Sequence, residues 1–400
     1  MKSSLMQRID RTVGPSLGNL LLWLRPLFHR KKSSETPNSP VKKILVLKFL
    51  GLGTLLLGSP TLRRLKEIYP GSELVLLTIT QNQAMAEMLP SIDRVVVISL
   101  RNLGVLLTSL WAVLPKLARE KFDVIIDLEF FANFSALIAA YLTLFHPAAI
   151  TAGYDFPGHW RNDVFKKRLR FHHQKHISEI MLDFPRLLVP GNTTTTPASF
   201  EAERLVFIKE AQTAPAKIPG IDLRAPGFVI TLNINSGDLC MNRKWPKEYF
   251  RTVVTELQKK ENLRFYLTGG SQDIPYVEAF LDSLPRKDRI VNLCGKTSFH
   301  QLLGLLWRSD LFITNDSGPI HVAAVMNIPS IAFFGPETPL LYGPVGNRSH
   351  VFYRELPCSP CLTIHNSKYS LCRDNQCLKM ISSAEVLEVI HAEINSSQRV

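Results

Sequence analysis

The sequence predicts an α/β fold divided between two domains, on three observations. Its 400 residues exceed the roughly 250–300 at which a single core stops growing. Short apolar runs alternate with amphipathic stretches, the pattern of strands covered by helices. In the second half, five successive apolar runs each end in Gly, Ser, Thr or Lys, which aligns one polar edge at the strand ends. By composition, residues 1–40 form a basic extension and linker, 41–200 a first domain, 201–226 a connection, 227–385 a second domain and 386–400 a tail.

The net charge of +13 is concentrated in two short segments. Residues 1–43 carry nine Lys and Arg against Asp10 and Glu35, and residues 159–176 carry six against Asp163. The remainder is nearly neutral, which favours local anionic targets over a basic face spanning a domain. No aromatic-interleaved basic motif or zinc-finger spacing is present, so no nucleic-acid partner is expected. No apolar run reaches the ~20 residues of a membrane span. Leu17–Phe28 comes nearest but is interrupted by Asn19, Arg25 and Pro26, and no small-residue cleavage site follows it. Residues 12–32 suit an interfacial segment: Leu20, Leu21, Leu24, Leu27 and Phe28 form an apolar side, with Trp23 and Arg30-Lys31-Lys32 at headgroup level. A disordered basic tail is the plainer alternative. Ser33–Pro40 is a linker by composition.

The first domain opens on a strand, Val41–Lys48, followed by the turn Phe49-Leu50-Gly51-Leu52-Gly53-Thr54 and a helical stretch from Leu55 to Tyr69. The glycine spacing matches neither the dinucleotide fingerprint nor a P-loop. Pro70-Gly71 ends the helix, and strands follow at Glu73–Thr78, Arg94–Ile98 and Phe122–Asp127, with a helix around Leu106–Ala118 before the last. Asp127 and Glu129 fall where that strand runs out, the edge at which ligands of open α/β sheets collect. Segment His159–His176 is too charged for a core; it suits either an anion site or a solvated helix face.

The second domain repeats the pattern. Strand Phe228–Leu232 leads into Asn233-Ile234-Asn235-Ser236-Gly237, and Arg243-Lys244-Trp245-Pro246 opens a helix through Leu257. Strands Arg264–Leu267 and Ile290–Leu293 end in Thr268-Gly269-Gly270-Ser271 and Cys294-Gly295-Lys296-Thr297; Pro329–Phe334 ends in Gly335-Pro336. Between these lies the most informative stretch, Phe312-Ile313-Thr314-Asn315-Asp316-Ser317-Gly318-Pro319-Ile320-His321. It is a buried strand, a polar turn and a helix start, with Asp316 or Ser317 as the expected cap and Pro319 in the first turn. Such a start attracts phosphate, and His321 lies one turn in. Arg243 and Lys244 supply the charge a diphosphate needs. The Asp316 carboxylate would repel one, so it is expected to cap the helix or bind a sugar hydroxyl.

Cys358, Cys361, Cys372 and Cys377 fall within twenty residues. Four thiolates suit a closed structural zinc site, but the longer gaps match no standard ribbon, so zinc, free thiols and disulfides all stay open.

Together these motifs resemble glycosyltransferase family 9, the lipopolysaccharide heptosyltransferases, over about residues 42–390. They are Lys43-Ile44-Leu45-Val46 with Gly51-Leu52-Gly53 and Ser59-Pro60; Arg243-Lys244-Trp245-Pro246; Thr314 to Ala324; Phe334-Gly335-Pro336; Tyr342-Gly343-Pro344; and Cys358-Ser359-Pro360-Cys361. The resemblance implies a GT-B architecture: two Rossmann-like domains facing across a cleft, with a C-terminal helix returning to the first. It implies inverting transfer of a heptose-like sugar from a nucleotide-diphosphate donor, without a catalytic metal. Ser236 and Lys244 or Arg243 would hold phosphate; Asp316, Ser317, Gly318 and His321 would gather diphosphate and sugar; Gln272 and Thr297 would lie near ribose and base. The acceptor would be an anionic glycolipid or oligosaccharide received by Arg161, Lys166, Arg168, Arg170 and His172. The enzyme would work in the cytoplasm, peripheral to the inner leaflet.

One departure stands out. Many members carry Asp after the glycine turn as the proposed base, whereas this chain has Thr54, whose hydroxyl has no useful basicity near neutral pH. Either Asp127, Glu129 or a nearby histidine takes the acceptor proton, or the protein is a catalytically impaired member that binds nucleotide sugar or glycan at the membrane surface. A nicotinamide-dependent oxidoreductase is the remaining competitor, and the absent dinucleotide fingerprint counts against it.

Overall fold

A computed structural model describes residues 3–28, 40–130, 132–189, 197–214, 217–218, 221–222, 227–237, 241–364, 366 and 368–397. Of the expected linker Ser33–Pro40, all but Pro40 lies outside these residues. The chain divides into two compact units, Met1–Phe200 and Glu201–Val400.

The first unit holds β1 (Lys43–Leu47), β2 (Glu73–Ile79), β3 (Arg94–Ile98), β4 (Val124–Asp127), β5 (Ile150–Tyr154) and β6 (Lys167–Leu169). They form one sheet in the order β3-β2-β1-β4-β5-β6, parallel at every pairing. Ile44 to Leu47 and Leu74 to Leu77 are wholly buried, since a parallel sheet covered on both faces requires unbroken apolar runs. The stretch expected as one helix from Leu55 is two, Leu52–Leu57 and Ser59–Ile68, meeting at Gly58. Helix Leu103–Arg119 is capped by the Asn102 side chain, which accepts from the Val105 N–H at 2.9 Å.

The N-terminal segment is not a free tail. Helix Ser3–Phe28 packs on helix Asn133–Phe145. The Asp10 carboxylate accepts from the backbone N–H groups of Asn133 and Phe134 at 2.8 and 2.6 Å, capping that helix from a distant part of the chain. At Gly18 any Cβ would fall 2.3 Å from the Trp160 ring, so glycine is needed there for helix Ser3–Phe28 to pass that ring. Leu21 and Leu22 pack against the first core, so Leu21 belongs to the docked face rather than to the lipid side expected of it. No helix among the described residues is long and apolar enough to cross a membrane.

The second unit begins earlier than the expected connection allows. Helix Glu201–Thr213 packs on helix Phe299–Trp307, with Phe207 and Ala211 fully buried. The pair β7 (Lys217–Ile218) and β8 (Ile221–Asp222) follows. Next come β9 (Phe228–Asn233), β10 (Leu263–Leu267), β11 (Ile290–Asn292), β12 (Leu311–Asn315), β13 (Ser330–Phe334) and β14 (Ser349–Tyr353). Their order is β11-β10-β9-β12-β13-β14, again all parallel. The two sheets thus share one permutation, the doubly wound order whose switch points lie between β1 and β4 and between β9 and β12.

Trp245 anchors the second core, stacked on Phe333 at 4.3 Å with its Nε1–H donating to the Ile381 carbonyl at 2.9 Å. The expected tail is a helix, Ser383–Ser397. It buries Val386, Ile390 and Ile394 in this second core.

Candidate functional site

At the β9/β12 switch point a set of amides joins the strand ends. Asn315 donates through Nδ2 to the carbonyls of Ile234 and Asn235 at 2.9 and 3.2 Å, and its Oδ1 accepts from the Trp245 N–H at 2.7 Å. Asn235 donates in turn to the Thr268 carbonyl at 3.0 Å. A Cβ at Gly269 would lie 2.4 Å from that Asn235 nitrogen, so glycine is needed for the loops to meet. These bonds bring Ser236, Arg243, Lys244 and the Asp316–His321 turn to one edge of one sheet.

The helix Gly318–Val325 starts here without a side-chain cap. Ser317 Oγ is instead bonded to Thr314 Oγ at 2.9 Å and accepts from Asn233 Nδ2 at 3.1 Å. Asp316, the other expected cap, is paired with Arg243: its Oδ2 lies 3.1 Å from Nε, and Arg243 also donates to the Asp316 carbonyl. The expectation of a side-chain cap therefore fails, because both candidates bond elsewhere. The first amides of the helix keep their capacity for an anion. His321 is buried one turn in. Lys244 is buried too, with Nζ 3.9 Å from the centroid of the Tyr276 ring. Burial pushes the Tyr276 phenol up to about 12. Gln272 is exposed and Thr297 half-buried, on the loops after β10 and β11.

Sequence reasoning missed Glu337 and Lys368. Glu337 Oε1 accepts from Lys368 Nζ at 2.5 Å, both groups buried, and Lys368 Nζ sits 4.2 Å from the centroid of the Tyr342 ring. Burial pushes the Glu337 carboxyl up to about 7, against the pull of Lys368. Asp316 and Arg243 act on it electrostatically, so the pair borders the same turn. Glu337 directly follows Gly335-Pro336 at the end of β13, a position that could have signalled it; nothing in the sequence signals Lys368.

In the first unit, the switch point is closed by ion pairs. Glu129 Oε1 accepts from the N–H groups of Phe49 and Leu50 at 2.7 and 2.6 Å and from Lys48 Nζ at 2.9 Å. Asp127 accepts from Ser135 Oγ at 2.8 Å, the Glu129 N–H at 2.9 Å and Arg161 at 3.3 Å. Both carboxylates are fully buried, and burial pushes Asp127 up to about 6, Arg161 pulling the other way. Glu129 holds the glycine turn in shape, and Asp127 fixes the Glu129 backbone and Arg161 behind it. Gly51 takes φ +79°, a conformation that favours glycine. Thr54 Oγ donates to the carbonyls of Leu50 and Gly51, each at 3.0 Å.

Arg161 corrects the reading of His159–His176 as too charged for a core. It is 2 % exposed, between Asp127 and the Glu129 carbonyl, because the buried Asp127 carboxylate needs a cation. Val164, Phe165 and Phe171 are buried beside it. Lys166 donates to the carbonyls of Pro147 and Ala149. Arg168, Arg170 and His172 are exposed along β6 and just beyond it.

The four clustered cysteines differ in surroundings. Cys358 is exposed, Cys361 accepts from Ser370 Oγ, Cys372 donates to the Asp374 carbonyl, and Cys377 is buried beside Gly335. They are free thiols here, and the described residues contain no group of three or more His, Cys, Asp or Glu side chains placed to hold a metal ion. Of the three open alternatives, zinc, disulfides and free thiols, the arrangement matches free thiols.

The model of glycosyltransferase family 9 (heptosyltransferase) matches residues 110–371. Lipopolysaccharide heptosyltransferase 3 of Escherichia coli (strain K12) is 23% identical over 347 residues, 84% of this chain and 93% of that protein. Lipooligosaccharide heptosyltransferase 2 of Campylobacter jejuni is 28% identical over 149 residues, 37% of this chain; the match spans under half of that relative, 46%. Among solved structures, E. coli heptosyltransferase WaaC with ADP superposes with a TM-score of 0.64 at 17% identity, covering 88% of this chain and 99% of that one. At that identity the likeness speaks for the fold, a GT-B pair of Rossmann-like units.

Proposed function

The chain belongs to glycosyltransferase family 9, and from that premise we propose that it transfers a heptose or similar sugar, with inversion, from a nucleotide-diphosphate donor to a lipopolysaccharide core or other lipid-linked glycan. The observation that carries this reading is the uncapped start of helix Gly318–Val325, with His321 one turn in and Lys244 next in the chain to the Arg243 that pairs with Asp316. A donor diphosphate, such as the ADP moiety named with the solved WaaC, is received there by backbone N–H groups, the helix dipole and the Lys244 ammonium. The same groups stabilise the negative charge that grows on the leaving diphosphate as the glycosidic bond breaks. Arg243 holds Asp316 away from the phosphates, leaving its carboxylate to accept from a sugar hydroxyl. Transfer without a bound metal is part of the proposal, since these cations supply the positive potential.

On the acceptor side, Arg168, Arg170 and His172 are the exposed groups proposed to meet acidic substituents. Arg161 and Lys166, already bonded within the unit, support that segment instead. Asp127 and Glu129 are positioning residues in this reading. The proposed location is the cytoplasmic face of the inner membrane, reached peripherally.

Thr54 favours a second reading. Its hydroxyl is engaged with two carbonyls and has no basicity to lend, which suits a member that binds nucleotide sugar without turning it over.

Thermal-shift titration with ADP and ADP-heptose tests the donor site. A specific donor raises the melting temperature by mass action. Lys244→Ala and His321→Ala are expected to abolish that rise. A rise retained in both variants would show that the pocket lies elsewhere.

A further inference from the structure

Two helices of the first unit expose large apolar side chains in number. Helix Ser3–Phe28 leaves Val13, Leu17, Leu20, Trp23, Leu27 and Phe28 exposed, Trp23 at 72 %. Helix Leu103–Arg119 leaves Leu103, Leu107 and Trp111 exposed, Trp111 at 83 %. Both pack on helix Asn133–Phe145, so the three form neighbouring parts of one layer. Phe145, on the shared helix, is exposed itself and meets Phe28 edge-on at 5.8 Å. A patch of this kind on a soluble face marks a contact with a membrane or a partner.

Charge decides between those occupants. Helix Ser3–Phe28 contains one acid, Asp10, turned inward onto Asn133 and Phe134, and helix Leu103–Arg119 contains none. Among the residues whose burial is described, the charged groups exposed on the two helices and just before the second are Arg11, Arg101, Lys116 and Arg119. In sequence, Arg30-Lys31-Lys32 follows one residue after Phe28. A second copy of this chain would bring the same positive face, on a protein already carrying +13. An anionic bilayer is complementary in both respects: indole rings settle at the headgroup level, and basic side chains meet lipid phosphates.

We infer that the exposed faces of helices Ser3–Phe28 and Leu103–Arg119 form one membrane-docking surface, with Trp23 and Trp111 as its two anchors and an anionic phospholipid bilayer as its occupant. This deepens the peripheral location proposed above and is independent of the donor pocket. The extension is therefore one half of the surface, and Trp111 extends it onto the catalytic unit itself.

The test uses the full-length protein and vesicles of phosphatidylethanolamine with phosphatidylglycerol, compared with phosphatidylcholine alone. Binding is expected to favour the anionic vesicles and to weaken with salt. Trp23→Glu and Trp111→Glu are each expected to reduce partitioning about tenfold, since bound strength scales with inserted apolar area. Leu107→Glu is a second variant on the same helix, with the same expected loss. In the unaltered protein, brominated lipid is expected to quench tryptophan emission. Wild-type partitioning by both Trp111→Glu and Leu107→Glu, or no quenching, would overturn the two-helix surface. So would a dimer that forms without vesicles and dissociates in these variants. Retention of the ADP thermal shift in each variant separates loss of docking from loss of the donor site.

Discussion

Lys48 Nζ lies 2.9 Å from Glu129 Oε1, and neither side chain reaches solvent beyond 1 %. The bond ties the end of β1 to the loop after β4 across the switch point of the first sheet. Because Glu129 also receives the N–H groups of Phe49 and Leu50, it sets the path of the glycine turn. Truncation would leave an ammonium buried without its counter-charge. Glu129→Ala is therefore expected to cost about 3–5 kcal/mol of stability, read by urea denaturation. Lost transfer with unchanged stability would instead make Glu129 a group that touches substrate.

Thr54 stands beside that turn with its hydroxyl committed to two carbonyls. Thr54→Asp places a carboxylate one residue from Gly53, at the open side of the turn. If transfer in the wild type is limited by the missing base, the variant is expected to gain roughly 10²-fold, the lower range for general-base catalysis. Rates with ADP-heptose and an acceptor glycolipid measure it; equal rates would mean that another group already takes the proton.

Glu337 gives the second unit a pH dependence. Its carboxyl is held up at about 7 by burial, against an ordinary 4.5. Between those values the folded protein keeps a proton that the unfolded chain releases, so stability falls as pH rises through the window. The melting temperature is expected to fall between about pH 4.5 and about pH 7, and Glu337→Gln to flatten that slope by at least about 2 °C. Parallel melting curves for the two proteins would discard Glu337 as the source.

Gly269 is a steric prediction. A methyl group would press on Asn235 Nδ2 and on Cys294 Sγ, at 2.4 and 2.8 Å. Gly269→Ala is expected to break the Asn235–Thr268 bond and to cost about 1–3 kcal/mol, while weakening the ADP thermal shift. A variant as stable as wild type, with an unchanged shift, would show that the loops have room to part.

The strands were legible because parallel sheets demand continuous apolar runs, and each predicted strand from Val41 to Phe334 appears within a few residues of its expected limits. The donor edge was legible for the same reason: polar residues directly after a buried run mark a strand's carboxyl end. The roles at that edge were less so. Asp316 and Ser317 look alike as caps in sequence, yet one pairs with Arg243 and the other with Thr314, partners decided by strands paired across the sheet. Arg161 misled because a run of basic residues does not reveal which one turns inward.

Composition and apolar rhythm were enough to dictate two α/β units, their strand ends and a helix start suited to phosphate, since these depend on local periodicity and on the chemistry of a few adjacent residues. Burial of Asp127 and Glu129, docking of the N-terminal helix through Asp10 and Gly18, and the meeting of Glu337 with Lys368 depended on contacts between residues far apart in the chain. A carboxylate's task follows from its solvent exposure and its nearest cation, and only the packed molecule settles either one.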